Sequence, residues 1–231
     1  MEASKPHINA KRRAQIGVQR RARTHDRILT AAFALLGREN GRLTRTDEIC
    51  AAAEVSRGTF YNYFSSMEEL FTAVSHQISH HYNVLVHEVI VDLPSSADRA
   101  AAAVRYYLHR ARSDRPWGWA MVNLSAAGPI FGEETFQRAT ASIAEGMGNG
   151  DFNVPSVQVG RDLLLGSALA SMISVLRSRP NEVSPEAMVR QIMIGLGVKP
   201  SVIERSLSHP LPERGNPPAR RRARKSDRPA M

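Results

Sequence analysis

The chain has 231 residues, one cysteine (Cys50) and a formal net charge of +9. That length suffices for one large or two modest cores, and a lone cysteine excludes an intramolecular disulfide framework, which fits a reducing, cytoplasmic setting. Residues 1–25 hold seven Lys or Arg against one acid and residues 211–231 hold seven against two, whereas the stretch between is near neutral. Cationic ends attract polyanions, nucleic acid above all; solubilising tails are the plainer alternative. The start is polar and basic, unlike a secretory signal peptide. The longest apolar stretch, 163–176, is interrupted by serines and shorter than the roughly 18 residues of a membrane span. A soluble protein with no membrane partner is expected.

Apolar residues recur with helical spacing and no strand alternation is found, so the fold class is all-α. A basic arm, 1–23, is expected to be disordered. The first helix is expected over 24–39, carrying Ile28, Ala32, Leu35 and Leu36 on one face and stopped by Asn40-Gly41. Two short helices follow, 44–53 and 56–64, then a long one over 67–91 with a stripe of Leu70, Phe71, Val74, Ile78, Leu85 and Val89. Further helices are expected over 96–112, from near Pro116, and over 133–147, 157–177, 185–196 and 200–207. Beyond Leu211 proline and arginine dominate, as in a disordered tail.

The informative segment is 44–64. Thr44-x-x-Asp47 reads as a capping box opening one short helix, and Ser56 as the cap of the next. Phe60 and Phe64, at i and i+4, point inward together. Two short helices joined by a tight turn and packed on a longer one make a helix-turn-helix. The outward positions of its second helix, Arg57, Gly58, Thr59, Tyr61, Asn62 and Tyr63, are polar or small and none is acidic, which suits a surface meeting base edges and phosphates. An ordinary capped hairpin with half-buried tyrosines is the alternative.

Residues 24–84 resemble the N-terminal domain of the TetR family of transcriptional regulators. The resemblance is carried by Ile28-Leu29-x-Ala31-Ala32, Asn40-Gly41, Asp47-x-Ile49-x-x-Ala52-Ala53-x-Val55-Ser56-x-Gly58-Thr59-Phe60-Tyr61-x-Tyr63-Phe64 and Ser66-x-Glu68-x-Leu70. It implies an N-terminal three-helix helix-turn-helix domain (24–84) and a C-terminal helical dimerisation and effector-binding domain (85–210), ahead of the tail (211–231) that composition reads as disordered. It further implies that Arg57, Gly58, Thr59 and Tyr61 face base edges, that Asn62 and Tyr63 lie along phosphates, and that Thr44 and Arg45 meet the backbone. Double-stranded DNA with a palindromic operator is then the partner, read by a homodimer. Two departures stand out. Glu54 occupies a turn position usually held by Gly, so either it takes a left-handed conformation at a cost of about 1 kcal/mol or the turn is rebuilt. Met67 replaces a usual phosphate-contacting Lys, and Arg20, Arg21 and Arg23 of the basic arm are candidates to compensate.

In the second half, the helix expected over 157–177 is apolar nearly all round and must be buried on most sides, in a dimer interface or a monomer core. Tyr106, Tyr107, Trp117, Trp119, Met121, Phe131, Phe136 and Met147 concentrate bulky apolar groups in the middle helices. They are the candidates to line a pocket for a small lipophilic effector, with ordinary core as the alternative. His76, His80 and His87 share a face of the long helix, with His81 beside it, but no carboxylate or cysteine joins them at ligand spacing, so neither metal nor cofactor is expected. Cys50 reads as a small buried residue. No nucleophile elbow, phosphate loop or metal-ligand string points to an enzyme. The expectation is a dimeric repressor released by an apolar effector; the alternative is an effector-independent architectural protein that binds DNA through its basic tails.

Overall fold

The computed structural model describes residues 10–179, 182–208 and 210–211. Among the described residues there are ten α-helices and no strand: α1 (Ala10–Leu36), α2 (Thr46–Ala52), α3 (Arg57–Tyr61), α4 (Met67–Ile90), α5 (Ser96–Ser113), α6 (Arg115–Ser125), α7 (Glu133–Gly148), α8 (Val157–Arg177), α9 (Pro185–Gly195) and α10 (Pro200–Ser208). The fold is therefore all-α, a helix-turn-helix domain followed by a helical body. The tail expected at 211–231 lies, from residue 212 onward, outside the described residues, as do residues 1–9.

α1 departs from expectation. It begins at Ala10, inside the segment read as a disordered arm. Residues 10–23 are rich in Ala, Arg and Gln, hold no proline, and so continue a helix on intrinsic propensity alone; every side chain from Arg12 to Arg23 is exposed.

Thr44 does not cap α2. It closes a short 3-10 turn over Gly41–Leu43, donating its N–H to the Gly41 carbonyl at 3.1 Å. Arg45 takes the cap position, and the Glu48 carboxylate accepts its N–H at 2.8 Å. α3 is shorter than 56–64 because the backbone tightens after Tyr61, with Tyr63 N–H bonded to the Phe60 carbonyl. The cap reading of Ser56 agrees with the structure, its Oγ accepting the Thr59 N–H at 3.0 Å.

α4 changes cores along its length. Leu70 and Val74 are buried against the helix-turn-helix, and further on the buried face is Ser79, Tyr82, Asn83 and Val86. Leu85 and Val89, expected in the stripe, are only half-buried. The face shifts because the distal half of α4 packs between α5 and α7 rather than against α1.

Two apolar clusters result. One gathers Ile28, Leu36, Ile49, Phe60, Leu70 and Val74 with Ala120 and Leu124 of α6; the other gathers Tyr107, Leu108, Trp117, Met172, Leu176 and Leu196. α6 contributes to both. Its Gly118 is required by close approach, since a Cβ there would stand 2.9 Å from the Leu176 side chain and 3.0 Å from Ala111. α8 is long and apolar enough to cross a membrane by composition, but α5, α6, α7 and α9 pack round it. α10 is tied down by Asp98, whose buried carboxylate accepts Arg205 Nη2 at 2.8 Å and the Ser206 hydroxyl. Burial opposes the charge, but hydrogen bonds from Ser206, Ser95 and Arg205 outweigh it and hold the carboxyl below its ordinary range.

Candidate DNA interface and ligand cavity

The turn between α2 and α3 is built around Glu54, which adopts φ 51, in the left-handed region. The strain has a partner that the sequence did not disclose. Arg27 of α1 donates from Nε to the Ala53 carbonyl at 3.1 Å, from Nη2 to the same oxygen, and from Nη2 to the Glu54 carbonyl at 2.8 Å. One guanidinium thereby satisfies carbonyls that the end of α2 leaves without helical partners. At the other end of α3, the His25 ring stacks on Phe64 at 5.3 Å and lies 6.3 Å from Tyr63. α1 thus holds the turn that leads into α3 and the segment that follows it.

Arg57, Gly58, Tyr61 and Asn62 of the motif are exposed, together with Arg45. Thr44, Thr59 and Tyr63 are half-buried, and the Thr59 hydroxyl lies 2.9 Å from Ser56 Oγ. Arg57 is paired with Asp47 at 2.9 Å, both well exposed, so the pair holds the guanidinium loosely. Tyr61 meets the Phe60 ring edge-on yet is 52% exposed, an unusual position for a large aromatic side chain. A Cβ at Gly58 would meet nothing nearer than Ser56 Oγ at 3.9 Å, so packing within the chain does not require glycine there. Met67 is half-buried against the first cluster. Cys50 is buried; burial, then the Asp47 charge, raises its thiol pKa.

A half-open cavity of about 510 Å³ lies in the body between α4, α5, α7 and α8. Apolar walls come from Val86, Ile90, Ala100, Val104, Leu164 and Leu165. Of the eight residues expected to line a pocket, Tyr107 and Phe131 do so. Tyr106, Trp117, Trp119 and Met121 are buried in the surrounding core; Phe136 and Met147 pack half-buried at its edge, with Arg161 over the Phe136 ring at 4.2 Å. Phe131 is held with φ 61 by its N–H bond to Ser125 Oγ at 2.9 Å. A non-glycine residue in that conformation beside a cavity marks locally stored strain.

One polar group of the wall is assembled from three helices. The Tyr107 hydroxyl donates to Asn83 Oδ1 at 2.7 Å, and Asn83 Nδ2 donates to Thr135 Oγ1 at 2.9 Å. Burial raises the Tyr107 phenol well above the ordinary tyrosine range, so it is a neutral hydroxyl at any working pH. The exposed lining residues His87, Arg138 and Glu145 mark the mouth, where Arg99 pairs with Glu145. His80 is also engaged, with Nδ1 2.8 Å from Glu134, and among the described residues no cluster of three potential ligands could hold a metal.

A capped helix pair with an exposed polar second helix, joined to a helical body with an internal cavity, defines a helix-turn-helix DNA-binding regulator of transcription. Residues 28–74 match the profile of the bacterial regulatory proteins of the tetR family, and residues 95–204 that of the tetracyclin repressor-like C-terminal domain. The chain belongs to the TetR family. An HTH-type transcriptional regulator of Mycobacterium tuberculosis is 28% identical over 193 residues, covering 81% of this chain and 92% of the relative. RolR in complex with resorcinol superposes with a TM-score of 0.69 at 25% identity, covering 85% of this chain and 99% of RolR. FadR from Bacillus subtilis, in complex with stearoyl-CoA, shares the fold at a TM-score of 0.57 and 16% identity, covering 74% of this chain and 96% of FadR.

Proposed function

We propose that this regulator is a dimeric, cytoplasmic repressor, released from a palindromic operator by a small apolar effector that carries a hydroxyl. The observation behind the effector is the cavity of about 510 Å³, with mainly apolar walls, the Asn83–Tyr107–Thr135 group among them and charged residues at its mouth. That size and polarity suit a single small molecule anchored by one or two hydrogen bonds. The likeness to RolR, a protein seen with the phenol resorcinol, supports the same class of ligand. A phenolic hydroxyl would exchange bonds with Tyr107 and Asn83 while the ring fills the apolar walls.

Arg57, Gly58, Thr59 and Tyr61 are proposed to face base edges, Asn62 and Tyr63 to lie along phosphates, and Thr44 and Arg45 to meet the backbone. Exposure of Tyr61 and Asn62 and the open space at Gly58 support this. For dimerisation, α8 and α9 leave a shallow groove lined by Leu163, Ala170, Met188 and Ile192, with exposed Val159 and Ile194 nearby. Apolar side chains there would be covered by the two-fold mate. Coupling would run through α4, which lines the cavity and begins directly after the motif: an effector that favours one placement of α4 shifts the spacing of the two α3 helices.

The test is operator release. DNA flanking the gene is titrated with protein, with and without resorcinol and a series of alkylphenols. The expected result is a dimer-sized complex weakened at least tenfold by one of them. Ligand-insensitive binding by a monomer would overturn the proposal.

A further inference from the structure

The geometry points to a second DNA-docking element: the N-terminal extension of α1, residues 10–23, which lays an arginine stripe along the duplex phosphates beside the helix-turn-helix. The inference rests on the DNA-binding reading of the motif and adds a surface outside it. Its first ground is charge. Residues 44–64 carry two basic and three acidic side chains, so the motif itself is slightly anionic, whereas affinity for duplex DNA comes largely from cations that displace counterions. Residues 10–23 carry six Lys or Arg and no acid.

The second ground is form. The extension is continuous with α1, so its charges are displayed on a rod about 20 Å long. That matches about six base pairs of duplex. Arg12, Arg13, Arg20, Arg21 and Arg23 are all exposed and form no ion pair among the described residues. Successive helical residues step by about 100°, which puts Arg12, Arg13, Arg20 and Arg23 in one arc of about 100° together with Arg27.

The third ground is direction. Arg27 is fixed on the Ala53 and Glu54 carbonyls in the turn between α2 and α3, so the arc it belongs to faces the motif's side of α1. With His25 against Tyr63 and Phe64, the extension leaves the domain next to α3 and continues along whatever α3 binds. A flexible basic arm would bring the same charges without fixed register.

The test measures binding of the full chain across salt concentrations, on the duplex flanking its own gene and on an unrelated duplex. A variant with Arg12, Arg13, Arg20 and Arg23 all changed to Gln should flatten the slope of log K against log salt by about 3 to 4 per bound protomer. Both duplexes should be weakened alike, because phosphate contacts carry no sequence information. Gly17→Pro keeps every charge but breaks the rod, and should flatten the slope by about 2 by disengaging Arg12 and Arg13. Tyr61→Ala should instead lower the preference between the two duplexes and leave the slope in place. If the wild-type chain binds neither duplex, the DNA reading falls and the inference with it. If it binds and the four-fold variant keeps its slope, or changes only its state of association, the inference alone is overturned. An unchanged slope in Gly17→Pro overturns the rod in favour of a flexible arm.

Discussion

In the helix-turn-helix each element is closed by a neighbour a few residues away: Ser56 bonds the Thr59 N–H, Glu48 the Arg45 N–H and Ser66 the Glu69 N–H. In the body, the polar group of the cavity needs Asn83, Tyr107 and Thr135, from three helices separated by 24 and 52 residues. Short-range closure caps each short helix of the reading head, and from farther along the chain α1 adds the Arg27 clamp and the His25 stack. Long-range assembly gives a cavity whose shape depends on how whole helices lie, and that is the property the proposed effector response requires. The contrast can be tested by attacking each region at the contact that defines it.

The largest effect is expected at Phe60, fully buried at the centre of the first cluster. Phe60→Ala should destabilise the protein by about 3–5 kcal/mol, through lost apolar transfer and the cavity left behind. Thermal unfolding should show it, with DNA binding lost together with the fold. A loss below about 1 kcal/mol would mean that α3 is held by its caps and not by its core.

Next comes Asp98, the anchor of α10. Asp98→Asn removes the charge that Arg205 and Ser206 bond and should cost about 2 kcal/mol at pH 7. The pH dependence has a defined sign. The folded-state pKa is depressed, so the stabilisation is present above the unfolded value near 3.9 and is lost as pH falls through the folded value. Wild type and variant should therefore converge in stability below about pH 4. Curves that stay parallel well below that pH, through the folded value, would show that packing, not the carboxylate, anchors α10.

The same contrast explains what the sequence made legible. The cap Ser56, the inward pair Phe60 and Phe64, and the apolar runs of α8 and α9 are local signals, and these elements lie where those signals put them. The cavity lining was not local. Tyr106, Trp117, Trp119 and Met121 have the composition of a pocket, but bulky groups fill space, and the void opens where small residues such as Ala100, Ala103 and Ala139 face one another across helices. Asn83 carried a faint signal as a polar residue three positions before Val86 on a buried face. Arg27 carried none, because its role depends on a turn 26 residues away. The helical start of α1 was obscured by charge: a basic polar run reads as an arm unless helix propensity is weighed separately.

Filling the cavity tests the body without touching the reading head. Ala103 lines the space and is half-buried, so Ala103→Phe should project into the void and cost less than about 1 kcal/mol, below the usual range for overpacking. Operator affinity should be kept, while the response to an effector falls at least tenfold. A destabilisation of about 3 kcal/mol would argue that the space is closed in solution.

The smallest effect belongs to the turn itself. At φ 51, Glu54 carries a left-handed penalty of about 1–2 kcal/mol that glycine does not, but glycine also enlarges the unfolded ensemble by about 0.5–1 kcal/mol. Glu54→Gly should therefore stabilise the protein by about 0.5–1 kcal/mol. Arg27 bonds main-chain carbonyls and not the Glu54 side chain, so its clamp survives the change. If Arg27 is what holds the strained turn, Arg27→Ala should cost more in the wild-type chain than in the Glu54→Gly variant. The double-mutant cycle should then give a coupling of about 0.5–1 kcal/mol. Additive losses would mean that Arg27 only satisfies the end of α2, and that the left-handed turn is imposed instead by the packing of Phe60 on α1.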